Sequence, residues 1–157
     1  MNQPTPSSLL ACLQAEIDAV RRFTQLLQEE AQSLTEPAAF EALNEITERK
    51  NQLAEELAGL GGQRNTLLGR MGLDSDHAGG QAAAAADPAL APVWQALLQA
   101  VAQARELNQR NGILLETHLR HVQHSLDALR ALTGQASLYD AQGRARRVSP
   151  GKAIAAG

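Results

Sequence analysis

Three histidines, His118, His121 and His124, recur at every third position, so they are a first candidate for a shared metal ion. On a helix this spacing spreads the outer two rings over ~9 Å of rise and about a third of a turn. No HExxH or ExxH element accompanies them, so surface or seam histidines are expected and no metal. Asp74, Ser75, Asp76 and His77 have the look of a calcium loop, with Gly79 at its sixth position. Ala78, Ala82 and Ala85 then occupy the fifth, ninth and twelfth positions, where oxygen ligands are required. The adjacent carboxylates Glu29-Glu30 and Glu55-Glu56 point to different azimuths on a helix, which suits solvation rather than acid/base work. Gly59, Gly61 and Gly62 lack the Lys-Ser/Thr of a phosphate loop and follow a helix rather than a strand. Cys12 lies among Leu9, Leu10 and Leu13 and reads as a buried small hydrophobe. Being the only cysteine, it forms no intrachain disulfide, which fits a reducing compartment. No acid, base and nucleophile converge, so neither an enzyme nor a cofactor is expected.

The elements that carry these residues are helical. Leu10, Leu13, Ile17, Val20, Thr24, Leu27, Ala31 and Leu34 follow one another at intervals of three and four, the seam of a helix packed lengthwise on others. The chain holds 29 alanines and 24 leucines against nine valines plus isoleucines, a balance that favours helix over sheet. Aromatic residues make up 3%, too few for a wide core, so thin elongated packing is expected. The first helix is predicted from about Ser8 to Leu34, with Glu16, Arg21, Arg22, Gln25, Gln28 and Glu29 on its solvated face. Thr35, Glu36 and Pro37 restart a second helix. Its seam is Phe40, Leu43, Ile46, Lys50, Leu53 and Leu57, with a Glu45–Arg49 pair one turn apart. The glycines at 59, 61 and 62 remove roughly 3 kcal/mol of helix propensity, which predicts a kink or break. Gly72 to Asp87 reads as the longest interior loop. Asp87-Pro88 opens the third helix, of some 45 residues and roughly 65–70 Å. Its seam is Trp94, Leu97, Val101, Ala104, Asn108, Asn111, Leu115, His118, Val122, Ser125, Leu129 and Leu132. Gly134 is its expected C-cap.

The predicted fold is therefore all-α: an elongated, antiparallel three-helix bundle of long helical hairpins over residues 1–133. A flexible basic tail, 134–157, follows. Two of the three helices are shorter than the third, which leaves an apolar stripe on the long helix in need of a partner. The tail carries four basic residues and one acid, a local +3 that leaves −6 for the rest of a chain of net charge −3. An acidic body argues against nucleic-acid binding, and a basic tail suggests an interaction segment. No run approaches the ~18 apolar residues of a membrane span, and Met1 to Ser8 has no signal-peptide character. A cytosolic protein is expected.

Two seam positions are amides. Asn108 and Asn111, followed by Gly112, either fix register inside the bundle or face a bound helix. Past the last helix, Leu138-Tyr139-Asp140-Ala141-Gln142-Gly143-Arg144, with Arg146 and Arg147 beyond, has the make-up of a linear docking motif.

Taken in order, the leucine-rich opening helix, Trp94-Gln95-Ala96-Leu97 leading into Leu107-Asn108-x-x-Asn111-Gly112, and Leu138-Tyr139-x-x-x-Gly143 resemble the FlgN-type flagellar type III export chaperones. The glycine cluster and the alanine run Ala82 to Ala86 depart from that pattern. The resemblance implies a cytosolic protein that holds hook-filament junction proteins unassembled and delivers them to the export apparatus. It implies that the C-terminal helix and tail engage the cargo's C-terminal amphipathic helices, and the seam reading places Asn108, Asn111, Leu115, Val122 and Leu129 at that surface. Leu138, Tyr139 and Gly143 would dock on the cytosolic domain of the export gate. The alternative that fits the same stripe is a self-associating structural coiled-coil subunit or adaptor.

Overall fold

The computed structural model describes residues 6–36 and 40–133. They form four helices: α1 (Pro6–Thr35), α2 (Phe40–Arg70), α3 (Asp76–Ala86) and α4 (Leu90–Thr133). Pro37, Gly134 and the motif at Leu138, Tyr139 and Gly143 lie outside the described residues. The chain divides into two units, Met1–Leu115 and Glu116–Gly157.

In the first unit α1 is the central element. Leu13, Ile17, Val20 and Leu27 are buried along the expected seam, whose Leu10, Thr24, Ala31 and Leu34 are half-buried, and Leu9, Cys12, Ala19 and Leu26 join them. At 100° per residue these positions cover about half the helix circumference, the width needed to pack two neighbours at once. Leu68 of α2, Ala83 and Ala84 of α3, and Leu90, Trp94, Leu97 and Ala104 of α4 complete the core. Glu16, expected on the solvated face, is instead buried, because that face of α1 meets α2 and the Arg64 guanidinium.

The expected break at Gly59 to Gly62 does not occur, and α2 runs through it. Ties to α1 sit within the cluster and on either side of it. Arg22 pairs with Glu56, the Cys12 thiol donates to the Leu60 carbonyl at 3.6 Å, and Arg64 pairs with Glu16 at 2.6 Å. Packing of this kind overrides a local propensity deficit of a few kcal/mol. Arg49 reaches across to Glu29 at 3.1 Å instead of pairing with Glu45 on its own helix.

The expected three-helix count is also corrected. Most of the segment read as a loop is α3. The chain stops α2 with a Schellman turn: Leu73 N–H donates to Leu68 O and Gly72 N–H to Gly69 O, both at 3.0 Å. Gly72 takes the left-handed φ of 75° that this turn requires. The alanines 82–86 then favour a new helix. Asp76 enters it with φ 69°, and a reciprocal pair secures the bend: Asn65 Nδ2 donates to the Asp76 carboxylate, and Asp76 N–H donates to Asn65 Oδ1.

Gly79 and Gly80 belong here for steric reasons. A Cβ on Gly79 would lie 1.7 Å from the Asp74 carbonyl, and one on Gly80 2.2 Å from the Trp94 ring. Trp94 holds α3 against α4, donating from Nε1 to Gln81 at 3.2 Å and meeting the His77 ring at 5.7 Å. Asp87 joins α3 to α4. Its side chain accepts from Ala89 N–H at 2.9 Å and its carbonyl from Leu90 N–H at 3.0 Å.

Candidate interaction face

The polar layer of the first unit is built from three helices. Asn111 of α4 is buried, 3% exposed, and its Nδ2 donates to Leu27 O at 2.6 Å and to Glu30 at 2.8 Å on α1. Lys50 of α2 donates to both oxygens of Glu30, at 3.0 and 2.9 Å, and to Asn108 Oδ1 at 3.4 Å. One buried amide, one carboxylate and one ammonium thus fix the register of α1, α2 and α4. Of the two amide uses the sequence left open, Asn111 serves this internal layer. Asn108 is exposed, with its carbonyl turned toward Lys50.

Just past this layer the seam of α4 comes into solvent. Ile113, Leu114 and Leu115 are all exposed, and an added Cβ at Gly112 would meet nothing within 4 Å. The second unit is described by its own helical turns. Leu119, Val122, Leu126 and Leu129 are exposed at intervals of three and four, Leu119 at 59% and Leu129 at 57%, against 0–3% for the core leucines of the first unit. Leu132 is exposed as well. At 100° per residue the first four lie within ~80° of arc and Leu132 widens it to ~140°, a single stripe. Charged pairs occupy the flank: Arg120 with Glu116 at 2.9 Å, Arg130 with Asp127 at 3.6 Å. Gln123 donates to Asp127 at 3.1 Å, which adds order to that polar face.

Of the residues singled out from sequence, Leu115 is exposed in the first unit, and Val122 and Leu129 are exposed on the stripe of the second. Leu119 and Leu126 were missed. The expected alternation passed through His118 and Ser125, whereas the apolar residues step by four from Leu115 to Leu119 and continue through Val122 and Leu126. The signal was present as leucines at i+4. His118 is half-buried while His121 and His124 are exposed. Among the described residues, no group of three or more His, Cys, Asp or Glu side chains could hold a metal ion. No described helix is long and apolar enough to cross a membrane.

A stripe of large aliphatic residues on an otherwise polar helix can bury itself against another apolar helix face. It offers no group for bond-making. Comparison with known proteins gives the stripe a context. A family model described as FlgN protein matches residues 1–147. The chain is 33% identical over 105 residues to the flagella synthesis protein FlgN of Proteus mirabilis, covering 67% of this chain and 66% of that protein. It is 34% identical over 107 residues to the flagella synthesis protein FlgN of Yersinia enterocolitica, covering 68% and 67%. The chain thus spans about two thirds of the length of these relatives. No solved structure matches it.

Proposed function

Since the chain belongs to the FlgN family of flagellar export chaperones, a non-enzymatic family, we propose that it binds hook-filament junction proteins in the cytosol. Binding would keep them unassembled until delivery to the flagellar type III export apparatus. The observation that carries this reading is the exposed stripe Leu119, Val122, Leu126 and Leu129. The C-terminal helices of a junction protein carry apolar stripes of their own, made for polymerisation, and the α4 stripe adds itself to them as an extra helix. An interface of ordinary size buries ~1,600 Å² in total. After ordering costs, micromolar to nanomolar affinity is expected.

Within this reading the five residues expected at the cargo surface divide their work. Leu115, Val122 and Leu129 supply apolar contact. Asn111 sets the register of α4 on α1 within the first unit, and Asn108 lies exposed beside Lys50. The basic segment with Leu138, Tyr139 and Gly143 takes the second task, docking on the cytosolic domain of the export gate. No nucleotide, metal or other cofactor enters this scheme, since helix burial alone supplies the binding energy.

Titration calorimetry with a purified junction protein tests the cargo half. Val122→Asp abolishes binding while leaving helicity intact; unchanged affinity overturns the assignment of the stripe. Light scattering on the free chain addresses self-association through the same residues. A stable high-order oligomer dispersed by Val122→Asp would instead favour a structural coiled-coil subunit. Tyr139→Ala weakens binding to the gate domain and spares cargo; wild-type affinity for both would remove Tyr139 from the mechanism.

A further inference from the structure

The first unit has a second open apolar surface, and the proposed stripe does not use it. α2 and α4 flank α1 without meeting over the whole of it, leaving a groove of about 400 Å³. Val20 and Phe23 form its floor, Leu57 and Gly61 the α2 wall, Leu97 and Val101 the α4 wall. Gly61 keeps that wall low, since a Cβ there would meet only the ends of the Arg64 and Glu16 side chains, at 3.7 Å.

The ends of the groove are polar. Glu16 lines one end, its side chain 6% exposed. Its Oε1 accepts from Arg64, while its Oε2 and the Arg64 Nε are sealed from solvent with no hydrogen-bond partner. Buried polar atoms are nearly always satisfied, so this under-satisfied pair makes the Glu16 end of the slot a polar terminus. Asn108, held by Lys50, lies at the other end. Arg105 on the α4 rim is exposed and has no ion-pair partner among the described residues. Two arginines against one carboxylate give the lining a positive excess, on a body whose formal charge is −6. The chain's own segment 134–157 is basic and offers no charge complement to Arg105 beyond the single acid Asp140.

We propose that this groove is a second docking site, separate from the α4 stripe, for an acidic amphipathic helix of a partner protein. Its aliphatic face packs between Val20, Phe23, Leu57 and Val101. A carboxylate pairs with the exposed Arg105 on the rim. The α4 wall from Leu97 to Asn108 is about 16 Å at 1.5 Å per residue, which a helix of about 14 residues covers with room at its ends.

Two fluorescein-labelled 14-residue peptides test the proposal. Both carry one Leu/Ala stripe, and their polar faces differ only in Glu for Lys. Anisotropy with the full chain is expected to show the Glu peptide binding at least ten times more tightly. Arg105→Glu reverses that order, Val101→Asp abolishes binding of both, and Leu126→Asp on the stripe changes neither. Arg105 is exposed, so its charge reversal leaves the melting transition in place and guards against a folding artefact. Equal binding of the two peptides, no binding of either, or loss with Leu126→Asp in place of Val101→Asp would overturn the groove as a site. So would a wild-type dimer that Val101→Asp dissociates, because a second copy would then be the occupant. None of these outcomes depends on whether junction proteins bind the stripe.

Discussion

The amide of Asn111 donates to the main-chain oxygen of Leu27 at 2.6 Å, a bond between residues 84 apart in sequence. The same nitrogen reaches Glu30, which also takes the Lys50 ammonium, so one side chain secures α4 to α1 and, through Glu30, to α2. The apolar residues that follow on α4 in the first unit, Ile113 to Leu115, are exposed. Asn111 therefore marks the change in α4 from a core helix to one with an exposed apolar surface.

Asn111→Ala removes a buried donor and leaves Glu30 with Lys50 alone. A loss of about 1–3 kcal/mol is expected in urea unfolding. Asn111→Asp places a second carboxylate against Glu30 and is expected to cost more at neutral pH, with recovery on acidification. Equal stability of the two variants across pH would contradict the polar layer described for this site.

The glycines of this chain respond in opposite directions. Gly59 and Gly62 have nothing within 4 Å of an added Cβ, so Gly59→Ala and Gly62→Ala each stabilise α2 by about 0.5–1 kcal/mol. Gly80→Ala drives a methyl into the Trp94 ring and destabilises by about 1–3 kcal/mol. Thermal melts of the three variants check both signs at once.

Burial holds the Glu16 carboxyl above its ordinary range, with Arg64 pulling partly the other way. A raised folded pKa means that Glu16 contributes its full stability below the unfolded carboxylate range. That contribution is lost as pH rises through the folded value. Wild type is thus expected to lose stability relative to Glu16→Gln as pH climbs above that range, and then to level off. A difference that stays constant, or grows in favour of wild type, would show that the ion pair outweighs desolvation.

Much of the fold was legible in the three-four spacing. Leu13, Ile17, Val20 and Leu27 of the α1 seam are buried as its periodicity predicted, and the α4 seam is buried at Trp94, Leu97, Ala104 and Asn111. Two features were not legible, because a glycine's meaning depends on what lies next to it in space. Gly59 and Gly62 read as a break, yet α2 is carried through by its contacts with α1. Gly79 and Gly80 read as loop, yet they let α3 approach Asp74 and Trp94 closely. On the stripe, Val122 and Leu129 were visible in sequence. Leu119 and Leu126 were passed over because the assumed alternation continued where the apolar spacing steps by four.

Amide hydrogen exchange of the full chain, free and saturated with the C-terminal segment of a hook-filament junction protein, bears most directly on the α4 stripe as the cargo face. Exchange across residues 116–132 is expected to slow at least tenfold on binding, while the α1 core from Leu9 to Leu27 keeps its rates. Saturated binding with residues 116–132 still exchanging at the free rate, and protection gained elsewhere, would contradict it.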